Sequence, residues 1–266
     1  MRSQLARIMM VGSVALVSSV TVTCFGQSAA TAQATRPAIS PYLVGANVWH
    51  HPSDEVWRVT SKAGIQIVRI GGGAYDRSMP SNDQLMEWCR QIRLMNAEPM
   101  IQVSRYLSAE QAAGIVRHFN VDEEMSIEFW NIGNEPWLRE GRPDVKTVPA
   151  IVAEYVKPLA SAMKEVDPRI KIFVCDECDY FDALYEGLIA GPFDLCGKDE
   201  SGHYYIDGFS WHRYVSGDRA WVATNAAEDF RKRAAKCRDL VNRANRSHGR
   251  SGDEALQWGI GEFNLE

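Results

Sequence analysis

Phe129-Trp130-Asn131-Ile132-Gly133-Asn134-Glu135-Pro136-Trp137 joins an apolar run to a cluster of polar and aromatic residues near the middle of the chain. The apolar run from Ile127 to Ile132 predicts a buried strand, and Gly133 breaks it. Past that break the chain presents an amide, a carboxyl, a proline and an indole in succession. In an α/β barrel the C-terminal ends of the strands carry the chemistry. A carboxyl placed there beside a Trp is expected to be partly desolvated, which raises its pKa toward general-acid duty. Asn-Glu-Pro alone is a weak signal, because loops are full of such residues. It gains weight from Trp258-Gly259-Ile260-Gly261-Glu262-Phe263-Asn264, which repeats the design: an apolar strand ending in a Glu between aromatics.

Working outward from that stretch, strands and helices alternate. Pro41 to Trp49 predicts a first strand, followed by a helix capped by Ser53 and stopped by Gly64. A second strand, Ile65 to Ile70, ends in Arg69 and the Gly71-Gly72-Gly73 turn. Asn82 is expected to cap a helix through Leu85, Trp88, Ile92 and Met95, and Glu98 to Val103 is the third strand. Ser108 to Gln111 has capping-box spacing and opens a helix to about Phe119.

After the fourth strand comes a helix from about Pro149 to Val166, with a kink expected at Pro158. Ile170 to Cys175 is the fifth strand, with a short helix near Phe181 to Ile189. A polar insertion, Gly191 to Gly202, leads to the sixth strand, Ile206 to Trp211. A basic amphipathic helix from about Ala226 to Ala244 precedes the seventh strand, Leu256 to Ile260. This alternation means a parallel sheet with right-handed crossovers. Seven such strands fit a (β/α)8 TIM barrel better than an open doubly wound sheet. The sequence ends at Glu266, just past strand seven, so the barrel is expected to be C-terminally truncated, with strand eight absent, or closed by another chain.

The composition narrows the function classes. The 266 residues are 45% hydrophobic and 24% charged, enough for one sizeable core. A net charge of −5 argues against nucleic acid or an anionic membrane surface as partner. At the N-terminus, Arg2 and Arg7 precede an apolar stretch from Ile8 to Val22, and Ala32-Gln33-Ala34 follows. That grammar predicts a secretory signal peptide over residues 1–34, its apolar region short for a membrane span, with an uncleaved anchor or a lipid anchor on Cys24 as the alternatives, and leaves residues 35–266 as the barrel domain of a secreted or periplasmic protein. Five cysteines remain, Cys89, Cys175, Cys178, Cys196 and Cys237, and an odd count leaves at least one thiol unpaired. Cys175 and Cys178 have zinc-like spacing but no second pair to complete four ligands, so they read as a disulfide or as two packed thiols. No G-x-G-x-x-G or Walker sequence follows the first strand, and Gly71-Gly72-Gly73 has no Lys-Ser/Thr after it. Neither a cofactor nor a metal is expected. Asp176-Glu177-Cys178-Asp179, after strand five, reads as a solvated acidic loop, with a calcium or substrate role as the alternative.

Two carboxyls on two strand ends are the minimum equipment for cleaving a glycosidic bond. With Glu135 after strand four and Glu262 after strand seven, facing each other across the barrel mouth, the chain over roughly residues 40–266 resembles the clan A glycoside hydrolases. Those are retaining (β/α)8-barrel glycosidases with catalytic Glu residues on strands four and seven. The resemblance implies Glu135 as general acid/base and Glu262 as nucleophile. It implies that Asn134 hydrogen-bonds the sugar 2-hydroxyl, and that Arg69 holds the nucleophile ionised. His212 and Tyr214 match the clan's His-x-Tyr, with Tyr214 orienting Glu262 and His212 touching the sugar or the acid's surroundings. The clan's Trp on strand eight has no counterpart in this sequence. Trp49, His50, Gln102, Trp137 and Trp211 lie at strand ends as candidate subsite residues. The implied substrate is a poly- or oligosaccharide; the residues do not choose between xylosidases, arabinofuranosidases, glucanases, mannanases and glucuronidases. A non-catalytic carbohydrate-binding barrel, or an inactive fragment of a glycosidase, is the second reading.

Overall fold

The computed structural model describes residues 40–265; the expected signal peptide lies outside them. Seven strands run in chain order through one sheet, every neighbouring pair parallel. They are β1 (Gly45–Val48), β2 (Ile67–Ile70), β3 (Glu98–Val103), β4 (Phe129–Ile132), β5 (Lys171–Glu177), β6 (Gly208–Val215) and β7 (Gln257–Leu265). Between them lie α1 (Asp54–Thr60), α2 (Asn82–Leu94), α3 (Ala109–Val116), α4 (Pro136–Arg139), α5 (Val148–Val166), α6 (Asp182–Gly187) and α7 (Arg219–Ser247). The sheet curls into a nearly closed barrel, seven units of the (β/α)8 plan, and the curl brings Arg69 of β2 against Glu262 of β7. Among the described residues no eighth strand lies between β1 and β7, and no helix is long and apolar enough to cross a membrane.

Strand alternation sorts the side chains. Val68, Ile70, Ile101, Val103, Trp130 and Ile132 point outward and join Leu85, Trp88, Ile92, Val152 and Val156 of the helices in the main core. The alternate residues face the lumen. There Met100, Phe129 and Phe173 form an apolar plug with Ile67 and Tyr42. Two residues further along the same faces, the lumen turns polar at Arg69, Gln102 and Asn131, all buried.

Local chemistry explains most boundaries. Ser53 accepts from the Val56 N–H, and Gly64, at φ +66°, ends the turn after α1. Ser81, one residue before the expected Asn82, caps α2 through the Gln84 N–H at 3.3 Å. The capping box at Ser108 forms in full, with Gln111 reaching back to the Ser108 N–H at 2.8 Å. Pro158 sits inside α5. The basic helix α7 starts seven residues earlier than expected, because Asp218 caps it by accepting from the Trp221 N–H at 2.9 Å.

The larger departures concern the last strands. β6 and β7 run on past Trp211 and Ile260 to Val215 and Leu265, pairing with each other along the way. His212, Tyr214 and Glu262 therefore stand on paired strands rather than in loops. The five cysteines are free thiols, so Cys175 and Cys178 form no disulfide. The acidic stretch after Cys175 is not a solvated loop: Asp176 and Glu177 end β5 and are buried.

Candidate active site

Arg69 is the hub. Its guanidinium, buried at the end of β2, reaches Glu262 Oε1 with Nη1 at 2.8 Å and Asp176 Oδ2 with Nη2 at 2.9 Å. It also donates to Asn134 Oδ1 (2.8 Å), Asn131 Oδ1 (3.0 Å), Gln102 Oε1 (3.1 Å) and Asn47 Oδ1 (3.4 Å). A planar fork of five donors suits such a ring of acceptors, and an ammonium would not reach them together. Holding the Asn134 Oδ1 turns that amide so that its Nδ2 is the end able to donate to a ligand. Gln102 in turn accepts from the Gly72 N–H at 2.7 Å. A Cβ on Gly71 would overlap Gln102, and one on Gly73 would overlap the Arg139 guanidinium, so the glycine turn is a close-approach surface.

Glu135 lies at the start of α4 in a left-handed conformation, φ +48°. Its N–H donates to the Asp176 carbonyl at 3.0 Å, and Arg139 donates to its Oε2 at 3.1 Å. Its Oε1 lies 3.2 Å from Nδ1 of His212, whose ring is fully buried. The same Nδ1 is 3.7 Å from Glu262 Oε2, and Nε2 is 3.5 Å from Asp176 Oδ1. Glu262 receives the Tyr214 hydroxyl on Oε2 at 2.7 Å. Both candidate catalytic carboxyls thus touch one imidazole nitrogen. Three carboxylates, from Glu135, Asp176 and Glu262, face three cationic groups, from Arg69, Arg139 and His212.

The electrostatics follow from that arrangement. Burial pushes the His212 pKa down, but the Asp176 and Glu135 carboxylates outweigh it and lift the ring to about 9. For Asp176, burial pushes up, yet Arg69 and His212 bring the carboxyl down to about 2. Burial also pushes Glu135 up, and the His212 hydrogen bond and charge, with Arg139 and Arg69, take it below the ordinary glutamate value. This corrects the expectation of a raised Glu135 pKa: its carboxyl lies at hydrogen-bond distance from two cationic groups, Arg139 and His212. Burial and the bond to Glu262 hold Tyr214 well above the usual phenol range.

Six of the residues singled out in the sequence meet here: Glu135, Glu262, Arg69, Asn134, His212 and Tyr214. Gln102 joins them as a support for Arg69. Trp49 and His50 stack on each other, 3.9 Å between ring centroids, on the exposed rim after β1. Trp137 is tied into the scaffold: its N–H donates to Glu177 Oε2 at 2.7 Å, its indole N–H to the Pro143 carbonyl at 2.8 Å, and its ring packs on Phe181. Trp211 does not reach the site. It alternates with Ser210 and His212, faces outward and is buried beside Tyr180 and Phe230. Residues not anticipated from the sequence are Asp176, Arg139, Asn47, Asn131 and Asp76; the last accepts from the Asn134 N–H at 3.2 Å. Asn131 was legible, since it shares the lumen face with Phe129. Among the described residues no cluster of three or more His, Cys, Asp or Glu is arranged to hold a metal ion.

A parallel barrel with Glu residues at the ends of strands four and seven has the fold of the clan A glycoside hydrolases. No protein-family model matches the chain, and no curated protein sequence does. Solved structures do. A family 51 α-L-arabinofuranosidase from Bifidobacterium longum aligns with a TM-score of 0.62 and 16% identity, over 85% of this chain and 56% of its own. An α-L-arabinofuranosidase from Thermotoga maritima, solved with arabinose, gives 0.59 and 17%, over 79% and 48%. A monomeric β-xylosidase from Caulobacter crescentus gives 0.54 and 14%, over 83% and 52%. At these identities the likeness is one of fold, and the chain spans about half the length of the proteins it matches.

Proposed function

We propose that the protein is a retaining glycoside hydrolase that cleaves O-glycosidic bonds of a poly- or oligosaccharide through a covalent glycosyl-enzyme, with Glu135 as acid/base and Glu262 as nucleophile. The observation that carries this reading is the shared His212 Nδ1, which touches Glu135 and Glu262 at 3.2 and 3.7 Å and so puts both carboxyls on one site. Their polar partners differ, as two carboxyls with different tasks would require. Glu262 is clamped between Arg69 and the Tyr214 hydroxyl, which fixes the direction of its carboxyl. Glu135 shares a hydrogen bond with a ring that carries a proton at neutral pH.

In the first step a Glu262 oxygen bonds to the anomeric carbon as the bond to the leaving oxygen breaks. That oxygen takes the bonding pair together with the proton shared between His212 Nδ1 and Glu135, and Glu135 is the member that delivers it. Water then attacks the anomeric carbon, gives a proton back to the pair, and releases Glu262 as carboxylate. Asn134, whose Oδ1 accepts from Arg69, has its Nδ2 as the donor to the sugar hydroxyl next to the reacting carbon in this reading. The charge of −5 and the leader-like residues 1–34 support a role outside the cytoplasm on a carbohydrate rather than on nucleic acid.

The names of the structural neighbours, arabinofuranosidases and a xylosidase, put pentosides first among substrates to try. The test is a panel of aryl α-L-arabinofuranosides, β-D-xylosides, β-D-glucosides, β-D-mannosides and β-D-glucuronides, with the anomer of the first-formed sugar read by proton NMR. Turnover with retained configuration supports the proposal. Inversion removes the covalent intermediate, and sugar binding without turnover leaves a carbohydrate-binding barrel.

A further inference from the structure

We propose that Asp176 is a positioning residue of this site: a third carboxylate, behind the catalytic pair, that faces His212 and Arg69 at ion-pair distance and retains the proton shared by His212 and Glu135. The inference rests on the glycosidase reading for its kinetic consequence and on geometry for its existence.

Asp176 reaches the lumen by an irregularity. Along β5, Phe173 faces the lumen and Val174 the outer core, so strict alternation would turn Cys175 inward and Asp176 outward. The pairing slips instead: Cys175 pairs with Ser210 and Glu177 with Trp211, which leaves one residue extra on β5. Cys175 and Asp176 take φ values of +77° and +38°, a costly region for side-chain-bearing residues. The result buries Cys175 in the outer core and swings Asp176 inward.

A second slip answers it on β7. Trp211 pairs with Ile260 and His212 with Glu262, leaving Gly261 extra. Asp176 Oδ1 lies where a Gly261 side chain would stand: a Cβ there would overlap that oxygen and come within 3.0 Å of His212 Nε2. Two bulges and a glycine converge on one carboxyl. Backbone strain of this sort persists where the surroundings over-determine it, and it clusters at functional sites.

The contacts say what the carboxyl does. Oδ2 is 2.9 Å from Arg69 Nη2, Oδ1 is 3.5 Å from His212 Nε2, and the main-chain oxygen takes the Glu135 N–H at 3.0 Å. Charge balance for Arg69 alone does not require it, since Glu262 already pairs with that guanidinium. His212 is faced by Asp176 from β5, Glu135 from the end of β4 and Glu262 from β7. Arg69 of β2 opposes its charge, Arg139 stands behind Glu135, and Tyr214 of β6 is bonded to Glu262. Asp176 is the carboxylate on the Nε2 side, so it holds the ring charged while Nδ1 serves Glu135. Without that charge the Glu135–His212 pair gives up its proton at lower pH.

The test is Asp176→Asn, which keeps the volume and removes the charge. The 15N resonances of His212, assigned through their loss in His212→Gln, are followed from pH 5 to 11 in wild type and variant. The alkaline limb of kcat/KM is followed on whichever aryl glycoside the wild type turns over. The expected result is a His212 titration lowered by about one unit or more, with the alkaline limb moving down beside it. A folded Asp176→Asn variant whose His212 titrates as in wild type overturns the proposal, whatever its kcat. Should the variant fail to fold, the wild type alone decides: both His212 nitrogens protonated at pH 7.5 is the expected result, and a neutral ring contradicts it. Absence of turnover by the wild type on any glycoside would instead sink the glycosidase reading, and the NMR titration would still judge Asp176.

Discussion

Arg69 is the residue on which the charges of the site turn, and its removal separates an ion-paired cluster from a set of solvated side chains. Arg69→Met leaves Glu262 and buried Asp176 without their shared cation. Breaking a buried pair by deleting one partner costs about 3–5 kcal/mol, and urea unfolding should register a loss of that order along with loss of turnover. A change below about 1 kcal/mol would mean that the pairs are as weak as exposed ones. Glu135 and Glu262 were readable in the sequence because each ends an apolar run, and Arg69, Asn134, His212 and Tyr214 because they match the clan's motif at the corresponding strand ends. Asp176 was not, because the bulge at Cys175 to Glu177 reverses the face that alternation assigns. The direction of the Glu135 shift was equally hidden, since it depends on His212, 77 residues away. Desolvation beside an indole is visible in sequence, but an imidazolium brought in by folding is not.

Elements carry their own predictions. Gly261 is the extra residue of the β7 bulge, and the space over it is filled by Asp176. Gly261→Ala should cost about 1–3 kcal/mol by overpacking, displace Asp176, and change the His212 15N shifts; unchanged shifts would show that the carboxyl does not need that space. Trp211 is core rather than subsite, so Trp211→Ala should cost about 3–5 kcal/mol in unfolding free energy while KM of the folded enzyme stays near wild type. A large rise in KM at unchanged stability would return Trp211 to the substrate. The third strand was read to its true ends, Glu98 and Val103, because Pro99 to Val103 is apolar enough to stand out between helical segments. β6 and β7 were cut short, because His212-Arg213-Tyr214 and Glu262-Phe263-Asn264 look polar in sequence and are held as strand by pairing with one another. Tertiary pairing overrode local pattern there.

The molecule as a whole should reveal its buried charges through pH. The folded-state pKa of His212, about 9, is above its ordinary 6.5, so its contribution to stability is fully present below about pH 6.5 and is lost as pH rises through about 9. The folded-state pKa of Asp176, about 2, is below its ordinary 3.8, so its contribution is present above about pH 3.8 and is lost as pH falls through about 2. Urea unfolding between pH 6 and 10 should therefore show stability falling on the alkaline side, and His212→Gln should flatten that fall; an equal slope in the variant would assign it elsewhere. The barrel itself was legible from seven alternating strands and helices, since that alternation has few three-dimensional solutions. Which of those strand ends are buried together was not, because it is set by curl and register rather than by any one stretch.

Azide rescue distinguishes the roles of Glu135 as acid/base and Glu262 as nucleophile on one sugar. Glu135→Ala and Glu262→Ala are assayed on an activated aryl glycoside that the wild type hydrolyses, with and without sodium azide, and the product is identified by NMR. Azide is expected to restore turnover in both variants. The Glu135 variant should yield a glycosyl azide of retained configuration, because the covalent intermediate still forms and azide replaces the base-assisted water. The Glu262 variant should yield the inverted azide, because the anion attacks the substrate directly. The same configuration from both variants, or full activity in either without azide, would contradict the assignment.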